Sequence, residues 1–438
     1  MKKAMVFGAG LSGRGAEKLL LKDGYSVLMV DDKESGCLSS SKAQELLDGV
    51  DLFIKSPGIP YVPLVQKALE KDIPVINEIE LAYRYKTKHG IRSTIIAVTG
   101  TNGKTTVTTK IAELLQTAGY NVACAGNVGA SWAELLTEDR SPDYTVLELS
   151  SFQLENIRTF RADIAMIINL TPDHLERYGN VSEYYETKFR VTNAQRREDL
   201  FLLNLDSPEI LKIFAEKGPV ESGVLSLSRK DPQADYHVED GLLRTGDEII
   251  FDCGRLALKG EHNLENALFI AATAKTLGVK NEIIADFLYH TGNVEHRMEV
   301  FYRYGKITFI NDSKGTNIEA SRFAIEACPG CVLICGGHDK KLDWAPLADL
   351  IKARVKTVYL IGENADILRA LLLRKGYGEE RIHSLHTLRE SLRHLRERCV
   401  SDRKQTVLLS PATSSYDQFT NFEERGRRFK ELVQEIFR

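Results

Sequence analysis

The sequence predicts an α/β protein made of three consecutive domains, each organised around a parallel sheet. Three observations carry that prediction. Strand-length apolar runs alternate with stretches of helical period from the first residues onward, and the alternation restarts twice, at "STIIAVTG" and at "KITFINDS". The apolar runs also end abruptly in glycine or small polar residues, and in open parallel sheets ligands bind just beyond such strand ends. At 438 residues the chain exceeds what one hydrophobic core usually serves.

In order along the chain, "KAMVFGAG" reads as a strand closing in glycine. A helix follows over Ser12 to Asp23 with Ala16, Leu19 and Leu20 on one face, Gly24 stops it, and "YSVLMVDD" is the next strand. The charged stretch Tyr85 to Ser93 reads as the first domain boundary. "STIIAVTG" then begins the middle third and is followed by a helix with Val107, Ile111, Leu114, Leu115 and Ala118 in register and Gly119 at its end. "YTVLELS", "DIAMIINL" and "DLFLLNL" are buried strands, "NLENALFIAATAKTLG" is a helix, and "HTGNVEHR" is the second boundary. "KITFINDS", "GCVLICGG", "TVYLIGEN" and "TVLLSPA" are the strands of the last third.

Composition narrows the function. With 58 basic and 61 acidic residues the formal net charge is −3, which gives no sign of a nucleic-acid or membrane-surface partner. No stretch reaches the length of a membrane span, and "MKKAMVFGAG" moves straight from two lysines into a strand-like run, so the chain is expected to be cytoplasmic. Seven scattered cysteines suit a reducing compartment. Cys328, Cys331 and Cys335 form a cluster, but "VLIC" reads as a buried strand rather than as half of a metal site.

Two glycine-rich turns carry chemistry. "TGTNGKTT" (Thr99 to Thr106) lies between a strand and a helix, where a phosphate loop belongs, although Val98 replaces the usual first glycine. Gly100 and Gly103 let the backbone close on phosphate oxygens, and the helix start offers N–H groups and a positive dipole end. Lys104 would neutralise the β- and γ-phosphates, and Thr105 would ligate Mg2+. "GAGLSG" (Gly8, Gly10, Gly13), with Asp31 ending the next strand, has the spacing of a dinucleotide turn, which leaves a nucleotide-like ligand and a plain βα corner both open. Three residues in segments that follow strands of the middle third join these turns as candidates: Glu148, His174 and Lys188. A glutamate in a buried strand needs a partner, and Mg2+ would supply one.

"TGTNGKTT", "LELSSFQLE", "LTPDHLERYG", "HNLENA", "EHRME", "NDSKGTN" and "SPATSSYDQFTNFEERG" occur in the order found in the Mur ligases, and the chain resembles that family from Gly8 to Gly426. The last two motifs resemble its D-glutamate-adding branch. The resemblance implies a Rossmann-like domain for a uridine nucleotide over residues 1–90 and a central phosphate-loop mononucleotide-binding domain over 91–293. A Rossmann-like amino-acid domain would follow over 294–438. It implies ATP-dependent addition of D-glutamate to UDP-N-acetylmuramoyl-L-alanine through an acyl phosphate, in peptidoglycan precursor synthesis, by a monomer. Two Mg2+ ions are implied, one held by Glu148 and His174 and bridged by Lys188 after CO2 has converted its amine to a carbamate.

For ATP the resemblance implies Gly100, Thr101, Asn102, Gly103, Lys104, Thr105, Thr106, Asn127, Asn263, Asn266, Arg297 (after His296), Asp312 and Lys314. For the uridine substrate it implies Leu11, Ser12, Asp31, Asp32, Lys33, Ser56, Asn127 and His174. D-glutamate would meet His174, Thr316, Lys340, Ser415 and Phe422. Two departures stand out. Asp32 and Lys33 replace the threonine and arginine common beside the nucleotide-binding aspartate, and a lysine cannot grip phosphate bidentately. Lys341 also adjoins Lys340 and competes for its role. A sibling ligase for another amino acid, including a folate-glutamate type, is the runner-up, and an NAD-dependent dehydrogenase would account for "GAGLSG" alone.

Overall fold

The computed structural model describes residues 2–138, 141–174, 177–292, 294–339, 343–398 and 403–438. The chain divides into two compact units, Met1–Thr291 and Gly292–Arg438. The first unit contains two sheets and the second contains one.

The N-terminal sheet is built from β1 (Lys3–Phe7), β2 (Ser26–Val30), β3 (Leu52–Lys55) and β4 (Val75–Ile76), all parallel in the order β2-β1-β3-β4. Met5, Phe7, Val30 and Phe53 pack on one face, while Ala4, Val6 and Ile54 pack on the other beneath Leu19 and Leu20 of the helix Leu11–Lys22. Gly13 is obligatory there, since a Cβ on it would lie 1.7 Å from the Gly8 carbonyl oxygen.

The stretch read as the first domain boundary begins inside a helix. The linker helix Glu78–Lys88 is capped by Asn77, whose side chain accepts the Glu80 N–H. Two carboxylates of this helix turn inward and tie it to the middle of the chain. Glu78 accepts from Ser131 Oγ (2.7 Å) and the Ala133 N–H (2.6 Å), and burial raises its pKa. Burial would raise Glu80 too, but the N–H groups of Arg158 and Thr159, the Thr159 hydroxyl and Arg84 hold it below the usual range. Charge-assisted bonds of this kind leave a carboxylate satisfied inside a protein, and they explain why two sheets form one unit.

The central sheet has nine strands: β5 (Thr94–Thr99), β6 (Val122–Gly126), β7 (Tyr144–Glu148), β8 (Ile164–Ile167), β9 (Leu200–Asn204), β10 (Gly223–Ser228), β11 (Tyr236–Glu239), β12 (Leu242–Thr245) and β13 (Glu248–Asp252). Their order is β13-β12-β11-β10-β9-β8-β5-β7-β6. From β6 through β11 the pairing is parallel, and β5 is buried on both faces, as its unbroken apolar run requires. β11, β12 and β13 extend the sheet as antiparallel hairpins, the first closed by Asp240-Gly241 with both residues at positive φ (51° and 76°).

The second unit carries β14 (Glu299–Tyr304), β15 (Ile307–Asn311), β16 (Val332–Gly336), β17 (Thr357–Ile361), β18 (Ile382–His386) and β19 (Gln405–Leu409), ordered β14-β15-β19-β16-β17-β18. Only β14 is antiparallel. Cys331 and Cys335 are buried with their thiols pushed up to about 12 by desolvation, as packed apolar residues. No described helix is long and apolar enough to cross a membrane.

Candidate functional site

β5 delivers the chain into the 100–103 turn, and the helix Lys104–Thr117 leaves it. Gly103 has φ 83°, and a Cβ there would meet Asn266 Oδ1 at 2.5 Å, so a glycine permits both the turn and the approach of the helix Glu261–Thr276. The Asn102 N–H donates to Asn169 Oδ1 (2.8 Å), and the Thr101 N–H to the Asn169 carbonyl (2.9 Å), so the end of β8 holds the loop. Lys104 Nζ folds onto the carbonyls of Gly100 (3.0 Å) and Thr101 (2.8 Å).

Glu148 ends β7 at 1% exposure beside this loop. Its Oε2 accepts from Thr105 Oγ1 at 2.6 Å and its Oε1 from Asn127 Nδ2 at 2.8 Å. The partner that a buried glutamate requires is supplied in part by the fold itself, through a hydroxyl from the first turn of the helix Lys104–Thr117 and an amide from the turn after β6. Carboxylate, hydroxyl and amide form a hard donor set of the kind that suits Mg2+, and Thr106 Oγ1 in the same helix as Thr105 is shielded with no hydrogen-bond partner among the described residues.

Lys188, on the helix Val181–Phe189, is also 1% exposed. Its Nζ donates to the Gly100 carbonyl (2.8 Å) and lies 4.7 Å from the centre of the Tyr184 ring. Burial first, and then the Lys104 ammonium, lower its pKa well below 10.5, against the opposing pull of Asp173 and Glu148. Four charged groups thus converge on one loop. His174 follows β8 with its backbone at φ 55°, a conformation few non-glycine residues adopt outside sites that need it. Its ring packs on Phe152 (4.8 Å), and its Nε2 lies 3.8 Å from Asp173 Oδ2.

Asn263 and Asn266 are joined by a 3.4 Å hydrogen bond and line a small recess with Thr106, Leu256, Ala267 and Ile270. On the N-terminal sheet, Asp31 accepts the N–H groups of Ala9 (2.8 Å), Lys33 (2.9 Å) and Glu34 (3.2 Å), while Asp32 accepts that of Ser40 (2.7 Å). Ser56 Oγ donates to the Gly8 carbonyl (3.0 Å), and Leu11 is exposed above the turn with Ser12 beside it. The Lys33 side chain is exposed as well. A separate cavity of about 230 Å3, lined by Lys86, Val122, Cys124 and Trp132, contains none of these residues.

In the second unit, Asp312 is buried at 4% exposure, with its carboxylate bound to Ser410 Oγ (2.7 Å) and the Met298 N–H (3.2 Å). Burial raises its pKa to about 6, against these donors and Arg297. Arg297 Nε is shielded and has no hydrogen-bond partner among the described residues. Lys314 Nζ lies 4.6 Å from the centre of the Phe422 ring, and the Phe422 carbonyl accepts from Ser313 Oγ. The Thr316 N–H donates to the Lys314 carbonyl, and Ser415 is buried with its carbonyl accepting from Gln418 and Phe419. Asn311 Nδ2 lies 2.8 Å from His296 Nδ1. Lys340 and Lys341 lie outside the described residues.

Sequence reasoning passed over Asp173, Tyr184 and Arg425. The signal for the first two was position, one beside His174 and the other one helical turn before Lys188. Arg425 is wholly buried and donates to Ser313 and Thr413, and burial brings its pKa down to about 9.

Residues 98–274 match the model of the Mur ligase middle domain, and residues 296–413 match that of the Mur ligase glutamate ligase domain. The UDP-N-acetylmuramoylalanine--D-glutamate ligase of Fusobacterium nucleatum is 47% identical over 437 residues, covering 100% of both chains. The enzyme of that name from Thermoanaerobacter sp. is 36% identical over 459 residues, covering 100% of this chain and 99% of its own. Among solved structures, MurF of Acinetobacter baumannii superposes with a TM-score of 0.65 at 18% identity over 95% of this chain and 98% of its own. The UDP-N-acetylmuramate-alanine ligase of Thermotoga maritima gives 0.63 at 18% identity over 99% of each; these two likenesses concern the fold.

Proposed function

The chain belongs to the Mur ligase family, and on that premise we infer that it is an ATP-dependent ligase adding D-glutamate to UDP-N-acetylmuramoyl-L-alanine in peptidoglycan precursor synthesis. The observation that carries this reading is the end-to-end match to the Fusobacterium nucleatum ligase, at an identity well above that of the fold-level neighbours.

A carboxylate does not condense with an amine in water, so its oxygen must first become a leaving group. In this reading the alanyl carboxylate oxygen attacks the γ-phosphorus of ATP, ADP departs, and the amine of D-glutamate attacks the acyl carbon, expelling phosphate and losing a proton. Lys104, now folded on the loop carbonyls, would swing to the phosphates, and the loop N–H groups would stabilise the equatorial oxygens. Mg2+ would spread the charge of the transferring group when bound. Thr105 and Glu148 would hold one ion; Glu148, His174 and Lys188 would hold a second. Lys188 suits carbamate formation because its lowered pKa leaves a larger share of neutral amine to add to CO2 with loss of one proton. Asn127 would orient Glu148 and the substrate.

The uridine nucleotide is assigned to Leu11, Ser12, Asp31, Asp32, Lys33 and Ser56 of domain 1–90. ATP is assigned to the loop and Asn263 and Asn266 of domain 91–293, and, by their family motifs alone, Arg297, Asp312 and Lys314 are assigned to ATP as well. Thr316, Ser415 and Phe422 of domain 294–438, with Lys340, are assigned to D-glutamate. The chain is read as a monomer working in the cytoplasm, where ATP is supplied.

The test is phosphate release from ATP, Mg2+ and UDP-N-acetylmuramoyl-L-alanine on adding D-glutamate, L-glutamate, L-alanine or diaminopimelate in turn. Release with D-glutamate alone is expected; release that follows a different amino acid assigns the chain to a sibling activity. Lys188→Ala is expected to lose turnover and regain part of it with short carboxylic acids, and absence of any rescue counts against the carbamate.

A further inference from the structure

Lys55 ends β3 and is wholly buried, a rare position for an ammonium group. Its Nζ donates to the Ile59 carbonyl at 2.8 Å, stands 3.7 Å from Glu155 Oε2 and lies 5.1 Å from the centre of the Tyr61 ring. Burial brings its pKa down to about 8, with Glu155 opposing that shift and Arg177 adding to it.

Glu155 is held from several sides. Arg177 Nε reaches Oε1 (3.1 Å) and its NH2 group reaches Oε2 (2.6 Å), the Tyr178 hydroxyl donates to Oε1 (3.0 Å), and Arg190 donates to the backbone carbonyl (2.6 Å). Arg177 also reaches the Ile59 carbonyl at 3.4 Å, so both cations share that acceptor. The N–H groups of Arg177 and Tyr178 donate in turn to the His174 carbonyl, at 2.9 and 3.2 Å. On the other side, the Ile59 N–H donates to the Ser56 carbonyl, and Ser56 Oγ donates to Gly8. A continuous hydrogen-bonded set therefore runs from the "GAGLSG" turn of the N-terminal sheet to His174 of the central sheet.

We propose that Lys55 is a positioning residue that seats the 55–59 turn on the Glu155–Arg177 pair and so fixes the left-handed backbone of His174. The uridine-nucleotide turn and the divalent-cation contact are thereby held in one register. The inference rests on the reading of His174 as a cation contact. Cutting this support leaves the donors of the site in place but loosens one of them.

The experiment compares wild type, Lys55→Met and Lys55→Arg by electron paramagnetic resonance of Mn2+ binding with a non-hydrolysable ATP analogue, and by steady-state kinetics. Lys55→Met is expected to weaken Mn2+ binding and lower kcat by about 10-fold each, the lower end of what residues behind a metal contact contribute. The KM for ATP stays unchanged, and Lys55→Arg restores at least half of both losses. A Lys55→Met protein with a lower melting temperature but wild-type Mn2+ binding and kcat overturns the proposal. Should Lys55→Met fail to fold, Arg177→Lys, which keeps the charge but loses the two-oxygen grip on Glu155, is expected to weaken Mn2+ binding in the same way, and unchanged binding overturns the proposal. Wild-type protein that ignores D-glutamate would sink the ligase reading, whereas the Mn2+ comparison would still decide the role of Lys55.

Discussion

The molecule contains two glycine-rich turns of the same design, each taking a parallel strand into a helix, and they differ in what surrounds them. The "GAGLSG" turn is closed by its own neighbours: Gly13 presses on Gly8, Ser56 caps the Gly8 carbonyl, and the Asp31 carboxylate accepts the Ala9 N–H. The "TGTNGKTT" turn carries Lys104 and faces Lys188, Glu148 and Asp173, brought from a helix, a strand end and a loop elsewhere in the chain. Glycines give both turns their shape, but the second gathers two ammonium groups and two carboxylates, whereas at the first a single carboxylate, Asp31, is held by backbone N–H groups.

The sharpest way to break this contrast is to strip the charge from the second turn. Lys104→Ala is expected to lower kcat about 1,000-fold while calorimetry shows unchanged binding of the uridine nucleotide; a loss within 10-fold would refute the phosphate role. Removing the shape of the first turn comes next. Gly13→Ala is expected to destabilise the fold by about 3 kcal/mol in urea unfolding, since the new Cβ meets backbone rather than a movable side chain. Gly103→Ala is expected to raise the KM for ATP about 10-fold at roughly 1 kcal/mol of stability, because φ 83° is strained for alanine and Asn266 must move. An ATP KM equal to wild type would show that Asn266 does not face the nucleotide.

The smallest effect is a pH dependence. Three backbone N–H donors and Lys33 hold Asp31 below its ordinary range, in spite of partial burial. A depressed carboxylate stabilises the fold above its unfolded pKa of about 3.9, and that contribution disappears as pH falls through the lower folded value. The stability gap between wild type and Asp31→Asn is therefore expected to be full at pH 7 and to close below pH 4. A gap that does not vary with pH would show that the hydrogen bonds act without the charge.

The two phosphate-loop glycines, Lys104, and the strands and helices around them were readable because their signals are local: period, punctuation and motif spacing. The partners of Glu148 were not, since Thr105 and Asn127 lie 43 and 21 residues away and only the sheet order makes them neighbours. The β11–β13 hairpins were missed although Asp240-Gly241 announces one, because these edge strands lack a continuous apolar run. Lys55, Glu78, Glu80 and Arg425 were invisible as interior residues, since a charged side chain reads as surface until its partners are known. For Asp312 the motif points to a ligand, and the structure adds what the sequence could not show, that Ser410 and the Met298 N–H hold its carboxylate.

The inward carboxylates of the linker helix also bear on how the chain can be dissected. A fragment ending near residue 90 would keep Glu78 and Glu80 but discard the donors at Ser131, Ala133, Arg158 and Thr159 that accommodate them. The complementary fragment would carry those donors with nothing to receive their protons. Proteolysis and truncation should therefore release residues 292–438 as an autonomous piece, whereas cutting at the visible sequence boundary near residue 90 should yield two insoluble halves.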